Sequence, residues 1–442
     1  MKPLALFLNP PGARVTMRDD ICSSFSKVGY AWPSIDFICQ SGYLDPHFEL
    51  RHLDASSLRW SVERTLTAVA SMRPSLIYAL VGSVALGDDI SFLERLSART
   101  DATLVVGGDW PQFHSREALE RLPNVFGVVT DFTASGLCDA VVHGSAAPVG
   151  LATRAHVAPE RKRGRFDYPM PRHDLFSNNA YRMPFLTRPF ASILTAYGCP
   201  YACAFCNSGS IGFAQRDDDG LFHELDELNR AGYRSIYVKD FSFNADVPRA
   251  KRLLLEWRRR GYRFAWTGFF RGEKIDAELA ALLRETGCRM AQIGIETAND
   301  AVLRTAKPAA DLDAVNNGLA HLQAAGVSYG AHFVFGLPGD DEIGFRRTLR
   351  WAKSAGLAYA SFNAFAPRPG TALAKGVDFL AGVPTDSRVG LHTRAAHRDF
   401  YRDPRSWWSA IRSSVRSGSL GSLAAIAVRR LRWKGADAWV AS

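Results

Sequence analysis

Apolar positions fall into two series of short runs, each interleaved with segments of helical period. In the first series Leu4–Leu8 is a continuous apolar run that stops at the turn Asn9-Pro10-Pro11-Gly12. Phe48–Leu53 alternates apolar and polar residues, and Trp60–Met72 places its apolar residues at helical spacing. Ser75–Val81 is again continuous; it is followed by Gly82-Ser83 and by a helical pattern over Asp88–Leu96. Thr103–Val106, closed by Gly107-Gly108, and Phe126–Thr130 complete the series. Strands alternating with helices predict a parallel, Rossmann-like sheet covered on both faces. Ligands of such sheets sit outside the carboxyl ends of the strands. Gly82, Ser83, Gly107 and Gly108 are therefore candidate contacts, because a backbone without side chains lets a large planar or phosphate-bearing ligand come close.

The second series predicts strands at Ser192–Ala196, Ser235–Asp240, Arg263–Thr267, Met290–Glu296, Tyr329–Phe335 and Ala358–Ala364. Helical patterns fall between them, at Gly220–Ala231, Asp246–Arg260, Asp276–Thr286, Asp311–Ala325 and Asp341–Ala355, several opening on an Asp suited to an N-cap. Six βα units predict a partial (β/α)6 barrel, with its chemistry at the carboxyl ends of the strands. The segment from 144 to 179 is rich in Pro, Arg, Ser and Gly and includes Arg161-Lys162-Arg163-Gly164-Arg165. The expected division is an α/β domain over 1–145, a linker over 146–189, the barrel over 190–375, and a helical basic region over 376–442. That last region carries helical patterns at Ser406–Arg416 and Leu420–Trp433.

Length and composition agree with this division. A chain of 442 residues exceeds one ordinary domain, and 47% hydrophobic with 22% charged residues excludes a disordered chain. No apolar run approaches the ~20 residues that span a bilayer, and the N-terminus shows no secretion leader, so a cytoplasmic protein is expected. Of the net charge of +10, seven charges sit in residues 394–442, with ten Lys/Arg against three Asp/Glu. Arg412, Arg416, Arg429, Arg430 and Arg432 lie there among Trp407, Trp408, Trp433 and Trp439. The expectation is a lid over an anionic or amphiphilic substrate, or a helix in peripheral contact with an anionic membrane. Nucleic acid is disfavoured, because no RNA-binding module follows the barrel.

Seven cysteines in so long a chain do not form a disulfide framework. Three of them crowd into Cys199-Pro-Tyr-Ala-Cys203-Ala-Phe-Cys206, directly after the first barrel strand. Structural zinc takes four ligands, usually as two pairs; here only His223 is within range as a fourth. An iron–sulfur cube held by three protein thiolates leaves one iron open for an exogenous ligand. Phe205 would shield such a centre. Cys288, His321 and His332 read as ordinary structural residues; Cys22, near the first ligand-facing turn, is either a structural thiol, the favoured reading, or a contact to ligand or substrate.

Cys199-x3-Cys203-x-Phe205-Cys206 resembles the signature of the radical S-adenosylmethionine (SAM) superfamily. The resemblance extends to Ile193–Pro200, to Gly294-Ile295-Glu296-Thr297, to Phe335-Gly336-Leu337-Pro338-Gly339 and to Pro367-Arg368-Pro369-Gly370-Thr371. It implies that Cys199, Cys203 and Cys206 ligate a [4Fe–4S] cluster whose open iron chelates SAM. An electron from a flavodoxin- or ferredoxin-like donor then cleaves SAM to a 5′-deoxyadenosyl radical. It further implies that Glu296, in the segment opened by Gly294, reaches the SAM ribose; the Gly-Glu-Glu motif for the SAM amino group is missing, and Asp240 is a candidate substitute. Arg271, after the apolar run Phe264–Phe270, either binds the SAM carboxylate or caps its strand.

An α/β domain ahead of the barrel, with Asn9-Pro10-Pro11 and Gly107-Gly108, looks like the cobalamin-binding domain of the class B enzymes, and Phe400–Arg405 resembles their C-terminal segment. The D-x-H-x-x-G frame that supplies a histidine to cobalt is absent; His52 and His114 stand in no such frame. The resemblance implies methylation of an unactivated carbon of a small molecule, with methylcobalamin as donor. The alternatives are a non-methylating cyclisation, as in the oxygen-independent magnesium-protoporphyrin ester cyclase, or radical modification of a nucleic acid.

Overall fold

The computed structural model describes residues 2–26, 29–156, 162–177, 179–183 and 185–417. The expected helix Leu420–Trp433, its arginines, Trp439 and Arg161 lie outside these residues.

The first half builds a six-stranded sheet from β1 (Leu4–Asn9), β4 (Glu49–Asp54), β5 (Leu76–Leu80), β6 (Thr103–Gly107), β7 (Val125–Val129) and β8 (Leu151–Thr153), in the order β4-β1-β5-β6-β7-β8. Five strands are parallel, and β8 closes the edge antiparallel to β7. The first sheet thus runs to residue 153, past the expected boundary at 145. One of its helices, Ile35–Leu44, is absent from the sequence reading. Nearly all its residues are buried, polar ones included, so no amphipathic stripe marks it. Gln40 is satisfied by the carbonyls of Phe132 and Ala134, at 2.7 and 2.8 Å.

Two short strands, β2 (Thr16–Asp19) and β3 (Cys22–Phe25), form a hairpin over the carboxyl ends of β1 and β5. Arg18 anchors it: its side chain is fully buried, paired with Asp89 at 2.8 Å, and it donates to Asn9 Oδ1 and to the Pro10 carbonyl. A run such as Arg18-Asp19-Asp20 reads as a solvated turn, yet each residue is no more than 2% exposed.

The second half is a parallel sheet in the order β10 (Phe190–Ile193), β13 (Ser235–Val238), β14 (Ala265–Phe270), β15 (Cys288–Glu296), β16 (Tyr329–Phe335) and β17 (Tyr359–Ala364). This is the expected six-stranded partial barrel. Asp246, Asp276, Asp311 and Asp341 each accept a backbone N–H as helix N-caps; losing such a cap costs about 1 kcal/mol.

The first barrel strand ends earlier than expected, at Ile193. The Asp240 carboxylate takes the backbone N–H of Thr195 and Ala196 and the Thr195 hydroxyl, which turns the chain out of the sheet. β11 (Ala196–Gly198) then pairs antiparallel with β12 (Gly212–Arg216), and β12 pairs with β9 (Lys162–Phe166) from the expected linker. The cysteine loop is the connection between β11 and β12.

The exposed edge of β17 is covered by the helix Ser387–Arg402. Tyr401 Oη contacts both the N–H and the carbonyl of Ala360, and His397 Nε2 does the same for Phe362. Side chains thus occupy backbone groups that would otherwise recruit another strand. Residues 374–383 reach back to the first domain, where Phe379, 4% exposed, packs with Leu86 and Trp110.

The helix Pro404–Ser417 corrects an expectation. Ser409 Oγ donates to the Gly356 carbonyl at 2.5 Å, and Ser328 Oγ donates to the Ser413 carbonyl at 3.4 Å. Gly356 and Ser328 precede the amino ends of β17 and β16, so this helix sits at the end of the barrel opposite the carboxyl ends. It is not a lid over the site.

Candidate active site

A cavity of about 450 Å³ lies between the β2–β3 hairpin and the carboxyl ends of the barrel strands. All three clustered cysteines line it. Their loop is pinned at both ends: the Cys199 N–H donates to the Gly212 carbonyl at 2.9 Å, and the Ala204 N–H donates to the Ala306 carbonyl at 2.9 Å. Cys206 Sγ lies 3.1 Å from Ser208 Oγ. Burial pushes the Cys199 thiol up and raises Cys203 to about 11, with Arg271 opposing both shifts and Lys307 also opposing that of Cys203. A bound iron centre would hold these groups as thiolates outright. Three thiols on one loop, with cations beside them, fit a centre that takes three protein ligands. Phe205 also lines the cavity and packs with Val302, Ala306 and Leu337.

Arg271, at the end of β14, donates from Nη1 to Cys203 Sγ at 3.7 Å. Its guanidinium stacks 3.9 Å from the centre of the Tyr201 ring and pairs with Glu273 at 2.5 Å. Asn244 clamps its backbone from both sides. Glu296 ends β15 at a register shift and has φ +67°, a left-handed conformation that costs a non-glycine residue about 1–2 kcal/mol. Its carboxylate folds back over Gly294, where a Cβ would stand 2.6 Å from Oε1. Lys307 Nζ lies 3.7 Å from that carboxylate and donates to the Gly294 carbonyl. Burial raises the Glu296 carboxyl, with Lys307 and Arg271 as the main opposing charges.

Other expected contacts lie elsewhere. Asp240 is not among the lining residues; its carboxylate is consumed by Thr195 and Ala196. Its neighbour Lys239 faces the cavity instead, as alternation along a strand requires. Gly82, Ser83, Gly107 and Gly108 are not on the cavity wall; Gly82, Ser83 and Gly108 lie against the hairpin, and Gly107 against Tyr78. A Cβ on Gly82 would stand 2.9 Å from Ser23 Oγ and 3.0 Å from Arg18 Cγ, and one on Gly108 would strike the carbonyl of Val81. The N–H groups of Gly82 and Ser83 are taken by Asp89 and Asp109. Gly82 and Gly108 admit the hairpin, whereas a Cβ on Gly107 would strike the Tyr78 ring; Met17, Ile21, Cys22, Ser23 and Ser24 of the hairpin, with Ser26, Tyr30 and Trp32, form the first domain's wall of the cavity.

Sequence reasoning missed Lys239, Lys307 and Arg368, and it read Cys22 and His332 as structural; all five line the cavity. The lining cations Lys239, Arg271, Lys307 and Arg368 outnumber the single carboxylate Glu296, which suits anionic groups. Deeper in the barrel, the Thr267 hydroxyl donates to the Met290 carbonyl at 2.7 Å and accepts from Gln292 Nε2 at 3.2 Å. Gln292 Oε1 therefore faces His332 Nε2, at 3.2 Å. The signal for these residues is period two along the barrel strands: Thr267 and Phe269; Met290, Gln292 and Gly294; His332 and Val334; Tyr359, Ser361 and Asn363 all point inward.

Comparison with known proteins agrees with this geometry. The family profile described as the radical SAM superfamily matches residues 193–352. An uncharacterized methyltransferase of Pyrococcus horikoshii is 27% identical over 210 residues, 46% of this chain and 44% of that protein. The tryptophan 2-C-methyltransferase of Streptomyces laurentii is 31% identical over 117 residues, 24% of this chain and 19% of that protein. These matches span less than half the length of the curated relatives. Among solved structures, the radical SAM methyltransferase TsrM of Kitasatospora setae, with cobalamin and a [4Fe-4S] cluster bound, superposes with a TM-score of 0.66 at 19% identity, covering 84% of this chain and 74% of that one. The cobalamin-dependent SAM radical enzyme OxsB, with aqua-cobalamin and SAM bound, gives a TM-score of 0.61 at 13% identity over 80% of this chain and 52% of that one. The barrel segment 193–352 is thus similar to the radical SAM superfamily, and the two-domain fold is shared with these cobalamin-bound structures.

Proposed function

We propose that the protein is a cobalamin-dependent radical SAM methyltransferase acting on an unactivated carbon of a small molecule. The observation that carries this reading is that Cys199, Cys203 and Cys206 share one cavity with Arg271, Glu296 and Lys307, walled on the far side by the first domain. When bound, the cluster and SAM supply a carbon-based radical, and cobalamin supplies a methyl carrier. The chain's own part is placement and exclusion of water. The three cysteines hold the cluster, Arg271 and Lys307 offset its negative charge, and Arg271 also meets the SAM carboxylate. Glu296, held by Lys307, accepts from the SAM ribose. The hairpin wall would hold the corrinoid, and Gln292 and His332, inside the barrel, would meet the substrate.

The division of labour follows the two sheets: the first domain carries the corrinoid wall and the barrel carries the radical chemistry. The electron comes from an external flavodoxin- or ferredoxin-like donor. All seven cysteines are free, which suits a reducing compartment such as the cytoplasm. No helix among the described residues is long and apolar enough to cross a membrane. Peripheral membrane contact would rest on the outer face of Pro404–Ser417, where Trp407 and Trp408 are 42% and 63% exposed.

The test is anaerobic incubation of the reconstituted protein with SAM, cobalamin, reductant and small-molecule extracts, followed by a mass-spectrometric product search. The expected product is heavier than its precursor by one CH2 unit and is absent with the Cys199→Ala/Cys203→Ala/Cys206→Ala variant. A product formed without gain of a methyl carbon would replace methylation by cyclisation or rearrangement. Turnover that survives in the triple variant would overturn the site.

A further inference from the structure

We propose a second metal site, at the end of the first domain remote from the cavity, formed by His47, Cys138 and His143. One ligand atom from each side chain lies within 4.8 Å of the others. The ligands come from segments ninety residues apart in the chain. His47 sits in the turn between the helix Ile35–Leu44 and β4, while Cys138 and His143 belong to the helix Gly136–His143. That helix starts beyond the carboxyl end of β7, so its last turn lies at the amino end of the sheet, as does the turn before β4. The site is thus separated from the radical chemistry by the length of the strands.

The chemistry of the donor set selects the metal. One thiolate and two imidazoles suit a borderline cation of the zinc class rather than calcium or magnesium, which take oxygen. With Zn–N near 2.0–2.1 Å and Zn–S near 2.3 Å, tetrahedral ligands stand about 3.3–3.7 Å apart, so a small rotation of the rings closes the present arrangement. The two imidazoles already stand edge to face, with centroids 5.5 Å apart and planes at 90°. None of the three side chains is engaged in another hydrogen bond or ion pair among the described residues. Cys138 is buried, 5% exposed, whereas His143 is exposed, so the fourth position opens to water.

The turn that carries His47 is braced independently of any metal. Lys2 Nζ donates to the Asp45 carbonyl at 2.7 Å, and Arg172 pairs with the Asp45 carboxylate. A ligand presented on a braced turn loses little freedom on binding. The cation would then tie the helix Ile35–Leu44 to the helix Gly136–His143 and stabilise the native state by mass action.

The experiment measures zinc and iron together in the full-length protein after cluster reconstitution and dialysis against stoichiometric zinc. One zinc per chain is expected in addition to the iron. The Cys138→Ser and His143→Ala variants should each lose the zinc and keep the iron. His143 is exposed, so His143→Ala is not expected to unfold the domain. Zinc can also enter empty cluster ligands, so the count is repeated in the Cys199→Ala/Cys203→Ala/Cys206→Ala background, where it should persist. Cobalt(II) added to that background should give a thiolate-to-metal charge-transfer band that Cys138→Ser removes. Zinc that disappears with the three cluster cysteines, or that survives unchanged in both Cys138→Ser and His143→Ala, would overturn the proposal.

Discussion

Lys239, directly after β13, and Asp19 on β2 form a buried ion pair that joins the two domains at the cavity wall. Nζ lies 3.3 Å from Oδ2, with the two side chains 1% and 2% exposed. Trp32 completes the unit: its indole N–H donates to Asp19 Oδ2 at 2.9 Å, and the Lys239 ammonium stands 4.7 Å from its ring centre. Lys239→Met leaves a carboxylate desolvated and unpaired, which should cost about 3–5 kcal/mol in chemical denaturation. Adding Asp19→Asn to Lys239→Met should recover part of that loss, giving a coupling energy above about 1 kcal/mol in a double-mutant cycle. Additive losses would mean that the pair does not join the domains.

A second prediction separates cluster assembly from SAM binding. Glu296→Gln keeps the shape of the side chain but removes its charge and one acceptor. SAM affinity should fall about tenfold, the equivalent of one hydrogen bond to a charged group, while iron content stays unchanged. Gly294→Ala should do at least as much, because its Cβ would strike Glu296 Oε1. Equilibrium SAM binding to the anaerobically reconstituted variants checks both; unchanged affinity in Glu296→Gln would remove that residue from the SAM site.

The contrast between Gly294 and Gly82 shows which parts of the site were legible in the sequence. The cysteine loop and the Gly294–Glu296 segment could be read because their residue types and spacing are dictated by a ligand. Gly82 and Gly108 carry the same backbone signal, but it is produced by a hairpin of the chain itself, and that of Gly107 by the Tyr78 ring. The hairpin could not be read, since Arg18, Asp19 and Asp20 are polar residues whose burial depends on Asp89, Trp32, Lys239 and Tyr197, all distant in sequence. Lys307 was hidden for a related reason: only the fold brings the end of the helix Asp300–Ala306 beside the cysteine loop. The barrel strands were legible because an apolar run between helical patterns needs no tertiary knowledge. The end of the first strand was not, because Asp240 decides it from another strand.

The same polar core sets a pH dependence. Asp36 and Asp20 are both buried, and the Asp20 N–H lies 3.3 Å from both Asp36 oxygens. Burial, with Asp19 adding repulsion, raises the Asp36 carboxyl from 3.8 to about 8. The folded protein therefore binds a proton that the unfolded chain releases above pH 3.8. Native stability should fall as pH rises from about 4 to 8, and the full cost is present above 8. Asp36→Asn removes the ionisation while keeping an acceptor for the Asp20 N–H. Its thermal midpoint should exceed that of the parent at pH 8.5, by a margin that shrinks steadily as the pH is lowered to 5. A margin independent of pH would show that Asp36 does not titrate in this range.

The last prediction concerns the metal centre of the proposed corrinoid. His52 is part-buried among Phe37, Phe176 and Tyr181, and desolvation lowers its ring to about 4, so it is neutral. His114 stacks on Trp110, 5.3 Å between centroids, beside Phe379 on the far face of the sheet. Neither lines the cavity; His332 is the one histidine among the described residues that does, and it belongs to the barrel side, with Nε2 engaged by Gln292. The wall offered by the first domain consists of Met17, Ile21, Cys22, Ser23, Ser24, Ser26, Tyr30 and Trp32, none of which carries an imidazole. The cobalt(II) state of corrinoid bound to the full-length protein should therefore show no nitrogen superhyperfine splitting in electron paramagnetic resonance. His52→Ala and His114→Ala should leave that spectrum unchanged. A nitrogen triplet lost in either variant would mean that the hairpin opens to expose the sheet, and one lost in His332→Ala would place the cobalt against the barrel instead of the first domain.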